Sequence, residues 1–236
     1  MSRTADDFFQ QIMSFAQKDP AIRLVTLEGS RANPMIKPDR YQDFDLSFFV
    51  RDERYKDYVK DASFLDFLGP RRILQEPENM ELFPPEQLGY SYLMIMEDHH
   101  KLDLTIYPLS YLKQYLSHEP LKRVLLDKDM RIKEKVIPTD KPFHLQKPSA
   151  QAFQDSANEF YFVSSYVAKG LCRGEILFAN AHFERILRRE LLRNLAWYVG
   201  TEDGFNLSLG KDYKFLEQYL PEDVWEQLLE TFDLSS

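Results

Sequence analysis

The chain is predicted to be an α+β protein, strands first and helices second, on three observations. Alternating apolar runs bounded by turn residues crowd into the first 110 positions. After position 149 the apolar residues recur at helical spacing instead. Between the two lies 135–147, with Pro138, Pro142 and several lysines, which reads as a linker. The expected organisation is therefore a strand-rich domain over 1–136 and a helical domain over 148–236. A chain of 236 residues, 44% hydrophobic and 14% aromatic, can bury a core at that size.

In order along the chain, residues 4–18 place Phe8, Ile12 and Phe15 on one helical stripe, with Asp6 and Asp7 in the first turn, where the helix dipole favours anions. Asp19-Pro20 stops that helix, and 22–28 reads as a strand running into a turn at Gly29-Ser30. A second strand spans 43–50. Residues 92–97 and 102–107 read as a hairpin around Asp98-His99-His100-Lys101, ended by Pro108. Ser149 is a natural N-cap for a helix carrying Phe153, Ala157, Phe160, Ser164 and Ala168. A second helix, 174–199, carries Ile176, Ala179, Phe183, Leu187, Leu191 and Leu195 and is expected to end at Gly200.

The charge balance of 30 Lys+Arg against 38 Asp+Glu gives −8, which disfavours a nucleic-acid partner and favours a cationic one. The single cysteine, Cys172, cannot form an internal disulfide or a multi-thiolate metal site. The acidic N-terminus is unlike a signal peptide, and no apolar run is long enough to span a membrane, so a cytoplasmic protein is expected. The five histidines show no metal-binding spacing.

The chemistry concentrates in a few acids. Strand periodicity puts Asp43 and Asp45 on one face, roughly 7 Å apart, with Phe44, Leu46 and Phe48 on the other. Asp103 sits likewise between core-facing Leu102 and Leu104. If the two strands are neighbours, three carboxylates converge. Such a cluster repels itself unless a cation joins it, and carboxylate oxygens select Mg²⁺ or Mn²⁺ over zinc. Upstream, Gly29 lets a phosphate approach the backbone, and the Ser30 hydroxyl and nearby amides offer donors. Arg31 is a further phosphate candidate, as are Lys211 and Lys214 in the Gly-Lys-x-x-Lys run. The row Arg185, Arg189, Arg193 reads as a solvated helix face.

The order Leu27-Glu28-Gly29-Ser30-Arg31, Asp43-Phe44-Asp45, Leu102-Asp103-Leu104 resembles the nucleotidyltransferase superfamily that includes DNA polymerase beta and kanamycin nucleotidyltransferase. Val25–Asn33, Met80–Glu86, Lys101–Thr105, Lys169–Arg173 and Gly210–Phe215 further resemble the aminoglycoside 6-adenylyltransferases that inactivate streptomycin. The resemblance implies an N-terminal mixed sheet with flanking helices, a helical C-terminal domain, and transfer of AMP from ATP to a streptomycin hydroxyl. It implies Asp43, Asp45 and Asp103 as catalytic and Mg²⁺-binding residues, Asp103 being a further metal ligand or the proton acceptor. Gly29, Ser30, Arg31 and Lys211 are the expected ATP contacts. Streptomycin carries guanidinium groups, so carboxylates should line its pocket, and Glu81 and Glu86 are the expected pair. A nucleotidyltransferase acting on a protein or another small molecule, or a non-catalytic ligand-binding relative, is the alternative. The family usually extends some tens of residues further, so the helical domain is expected to be short.

Overall fold

Thr4 starts the first helix, α1 (Ala5–Lys18), with a capping box: its hydroxyl accepts from the Asp7 amide and the Asp7 carboxylate accepts from the Thr4 amide, both at 3.1 Å. The computed structural model describes residues 3–85 and 89–232. It divides into two compact units, Met1–Asp140 and Lys141–Ser236.

The first unit is built on six strands: β1 (Ile22–Glu28), β2 (Phe44–Val50), β3 (Arg71–Gln75), β4 (Tyr90–Met96), β5 (Lys101–Pro108) and β6 (Lys122–Asp127). Their order in the sheet is β3-β4-β5-β2-β1-β6. Only the β2–β5 pair is parallel, which makes the sheet mixed. Two short helices, α2 (Gly29–Ala32) and α3 (Tyr55–Tyr58), follow β1 and β2, and α4 (Leu112–His118) follows β5. The hairpin is present as expected, its turn closed by His99 in the left-handed region (φ 69°). Two strands escaped the sequence reading. β3, Arg-Arg-Ile-Leu-Gln, is an exposed edge with no alternation to reveal it, and β6 carries three apolar residues in a row.

The two sheet faces differ. Phe44, Leu46, Phe48, Leu102, Leu104 and Ile106 join Phe8 and Ile12 of α1 in the main core. The other face changes character along the strands. Asp45 and Asp103 come first, then a row of hydroxyls running across four strands through the pairs Thr26–Ser47, Ser47–Thr105 and Thr105–Ser91. Beyond them Leu24, Phe49 and Tyr107 are sealed beneath Leu112 and Tyr115 of α4. The carboxylates are thus fixed by the same alternation that fills the core.

The second unit is helical: α5 (Ala150–Cys172), α6 (Ile176–His182), α7 (Arg188–Asp203) and α8 (Glu222–Glu230). Ser149 caps α5 as expected, its hydroxyl accepting from the Ala152 amide. The buried stripe of α5 is Ser156, Val163 and Gly170, not the one carrying the half-exposed Phe153. Small residues at that spacing let helices approach closely: a Cβ on Gly170 would lie 3.0 Å from that of Ala179. The expected single helix 174–199 is instead α6 and α7 joined by a π-turn at Phe183–Leu187. It runs through Gly200, which lies against the Phe205 ring, and ends before Gly204 (φ 90°). Among the described residues no helix is long and apolar enough to cross a membrane.

The Tyr92 side chain is fully buried, and its hydroxyl donates to the Tyr58 carbonyl at 2.7 Å and lies 3.0 Å from that of Asp61. Replacing Tyr92 by Phe removes the donor for two enclosed carbonyls, and urea denaturation is expected to show a loss of about 1–3 kcal/mol.

Candidate active site

Parallel pairing of β2 with β5 places Asp45 directly beside Asp103, and Phe44 beside Leu102. Asp43, one residue before β2, therefore lies level with Lys101 at the start of β5. The Lys101 ammonium donates to Asp43 Oδ2 at 2.7 Å and to Asp103 Oδ2 at 2.9 Å. All three acids expected from the sequence are thus brought to one place. The Lys101–Thr105 motif includes Lys101 but gives it no role. The period of two, which puts it on the Asp103 face, was the signal that could have found it.

The β1–α2 turn closes over this row. Gly29 adopts φ +64°, and a Cβ there would overlap the Asp45 carboxylate. Only a residue without a side chain fits both constraints. Ser30 follows as the second residue of α2. Arg31 donates through Nε to the Asp43 carbonyl and through Nη2 to the Gln42 carbonyl, both at 2.8 Å, and its guanidinium stacks 3.9 Å from the Phe44 ring centroid. It fastens the turn to the start of β2, so two of its donors serve the loop rather than a phosphate.

Behind the turn, the Glu28 carboxyl is enclosed by Thr26, Ser47 and Tyr115. The Thr26 hydroxyl donates to its Oε1 at 2.5 Å, and the Tyr115 hydroxyl closes on the same oxygen. Burial pushes the Glu28 carboxyl up to about 8 despite those hydrogen bonds. Glu28 carries no motif signal beyond preceding Gly29, and sequence reading assigned it no role.

Burial, then the charges of Asp103 and Asp43, raise Asp45 to about 6, while Lys101 and Arg31 act in the opposite direction. Burial alone would lower Lys101, but its bonds to Asp43 and Asp103 hold it above its usual range. Among the described residues no group of three His, Cys, Asp or Glu is arranged as a metal cage. The donor set nevertheless suits a hard divalent cation. It is all carboxylate, its crowding disfavours ionisation of Asp45, and Asp103 Oδ1 is buried with no hydrogen-bond partner. Asp43 and Asp45 are the residues that would hold it, with Asp103 beside them as a third carboxylate.

Glu81 is exposed in the segment before β4, and Glu86 lies outside the described residues. Two acids missed by the sequence reading fold onto β4: Glu76 accepts from the Tyr90 hydroxyl at 2.8 Å, and Glu78 from the Ser91 amide at 3.0 Å. Lys211 and Lys214 flank a turn of the second unit in which Asp212 and Tyr213 take positive φ (54° and 60°). The row Arg185, Arg189, Arg193 is not simply solvated: Arg189 and Arg193 pair with the buried Glu190 at 3.2 and 2.9 Å.

A mixed sheet presenting acids on adjacent parallel strands, with a Gly-Ser turn closed over them, is the arrangement expected of a nucleotidyltransferase. The match of residues 2–236 to the streptomycin adenylyltransferase family model is more specific, and the chain belongs to that family. It is similar to an aminoglycoside 6-adenylyltransferase of Campylobacter jejuni, 49% identical over 99% of this chain and 81% of the relative. One of Bacillus subtilis (strain 168) is 44% identical over 99% of this chain and 82% of its own length. A crystal structure of an aminoglycoside 6-adenyltransferase from Bacillus subtilis is 38% identical, with a TM-score of 0.46, covering 99% of this chain and 82% of that one.

Gly29→Ala is expected to strain the turn by about 1–3 kcal/mol and lower kcat/KM for adenylyl transfer about ten- to hundredfold, with the circular dichroism spectrum unchanged. A second expectation concerns pH. A carboxyl raised from 4.5 to about 8 on folding stabilises the folded state below pH 4.5, and loses that contribution as pH rises through 8. Glu28→Gln should flatten this fall in stability between pH 5 and 8, a difference of a few kcal/mol at most, read from denaturation midpoints across that range.

Proposed function

We propose that this protein transfers AMP from ATP to a hydroxyl of an aminoglycoside, with streptomycin as the acceptor and Mg²⁺ as the metal. The observation that carries this reading is the pairing of Asp45 with Asp103 in parallel strands, with Gly29 closed over Asp45. In-line attack of a hydroxyl on the α-phosphorus expels pyrophosphate, and the protein's task is to hold two charged fragments and offset developing charge. Asp43 and Asp45 would hold the metal ion, which would supply charge neutralisation at the triphosphate.

The backbone at Gly29 and the Ser30 hydroxyl receive phosphate oxygens, since the absence of a side chain leaves the turn open to close approach. Lys211 is assigned to the nucleotide as well. Arg31 orders this surface by holding the Asp43 carbonyl. Asp103 accepts the proton of the attacking hydroxyl: one of its oxygens is paired with Lys101, while Oδ1 has no partner. The acceptor is cationic, which suits the overall charge of −8, and Glu81 and Glu86 are assigned to its guanidinium groups. An ATP-dependent enzyme with one, unpaired cysteine fits the cytoplasm.

Incubation with Mg²⁺-ATP and streptomycin is expected to give a product heavier by one AMP by mass spectrometry. An unmodified streptomycin, alongside a modified member of an aminoglycoside panel, would move the acceptor but keep the reaction. Asp103→Asn should lower kcat by about 10²–10⁴ with little change in the KM for ATP. Retention of full activity in that variant would remove Asp103 from its role.

A further inference from the structure

Among the described residues Lys101 is the cation hydrogen-bonded into the acid row itself. Its ammonium touches two of the three carboxylates, at 2.7 and 2.9 Å, and so spans the gap between the residue that precedes β2 and the third residue of β5. Register rather than chance puts it there, because Lys101 and Asp103 share a face of β5 and Asp43 immediately precedes Phe44, which pairs with Leu102. The side chain is 37% exposed, and Asp43 is 39% exposed, so the bridge sits at the open rim of the row and can be exchanged without unpacking the core. Deeper in the row, Asp45 and Asp103 Oδ1 receive no hydrogen bond from it among the described residues.

We propose that Lys101 is the resident counter-ion of the acid row: it neutralises Asp43 and Asp103 in the empty enzyme, competes with a free divalent ion for them, and yields when metal arrives with nucleotide. This rests on reading the three aspartates as a nucleotidyl-transfer site. The physical case is one of competition. An ammonium that donates to two carboxylates removes from a free divalent ion part of the negative charge that would attract it. A nucleotide changes the balance, since its phosphates bring negative charge that an ammonium on a flexible four-carbon stem can reach instead. The enzyme would then take its metal as the metal–nucleotide complex, and free Mg²⁺ would not occupy the row beforehand. Lys101 is on this account a positioning residue.

The test is Mn²⁺ binding to nucleotide-free protein, followed by the electron paramagnetic resonance of the free ion. Lys101→Met, of similar length without the charge, is expected to bind Mn²⁺ about tenfold more tightly than wild type, the gain being limited by solvent at a half-open rim. Lys101→Gln should behave likewise and serves if the Met variant fails to fold, while Lys101→Arg should bind as weakly as wild type. Adding α,β-methylene ATP should narrow the gap between wild type and Lys101→Met. If both neutral variants fold and bind Mn²⁺ no more tightly than wild type, Lys101 is not a competitor and the proposal falls. Adenylyl transfer measured on the same samples separates the two claims. Transfer by wild type without the Mn²⁺ contrast overturns the counter-ion alone. The contrast without transfer to any aminoglycoside supports it and overturns the acceptor reading.

Discussion

The pairing of β2 with β5 in parallel is the constraint on which the rest of the first unit depends. In an otherwise antiparallel sheet, this one pair forces Asp45 and Asp103 side by side at the beginnings of their strands. Two carboxylates in that register repel, and the fold has to hold them there by other means. The buried faces of the same strands do so: Phe44, Leu46, Phe48, Leu102, Leu104 and Ile106 are almost completely enclosed, each worth roughly 1.5–3 kcal/mol of transfer free energy. A slip of one residue would carry these side chains to the other face along with the acids. The core therefore fixes the register, and the register fixes an arrangement that electrostatics alone would oppose.

Local devices then adapt this strained row. Arg31 stitches the Gly29 turn to the backbone of Gln42 and Asp43, and Lys101 threads between Asp43 and Asp103. Glu28 stands behind the turn among hydroxyls and resists ionisation, so it adds no full negative charge to the neighbourhood at neutral pH. In the second unit the same economy appears around Glu190, a buried carboxylate served by Arg189, Arg193 and the Ser156 hydroxyl at 2.7 Å.

What could be read from the sequence was whatever repeats with a period. The alternation through 43–50 and 102–107 revealed both strands and the face on which Asp43, Asp45 and Asp103 lie, and Asp6-Asp7 with Asp19-Pro20 marked the first helix. Period failed where the chain breaks it. The π-turn at Phe183–Leu187 shifts the phase of a helix by a residue, and the glycine expected to end it, Gly200, is small because Phe205 needs the space. The edge strand β3 has little to bury and so carries no pattern. Partners brought together by tertiary contact, such as Glu28 with Tyr115, 87 residues apart, leave no local trace.

The hydroxyl row beneath the acids has a consequence of its own. Thr26, Ser47, Thr105 and Ser91 form a strip between the carboxylates and the aromatic seal of Phe49 and Tyr107, with Ser91 and Thr105 oxygens 3.4 Å apart. The Thr26 and Ser47 hydroxyls are committed to Glu28, while Ser91 and Thr105 can exchange donor and acceptor by rotation alone. The strip is thus a polar floor under the carboxylates whose oxygens are held in place by the ladder of the sheet.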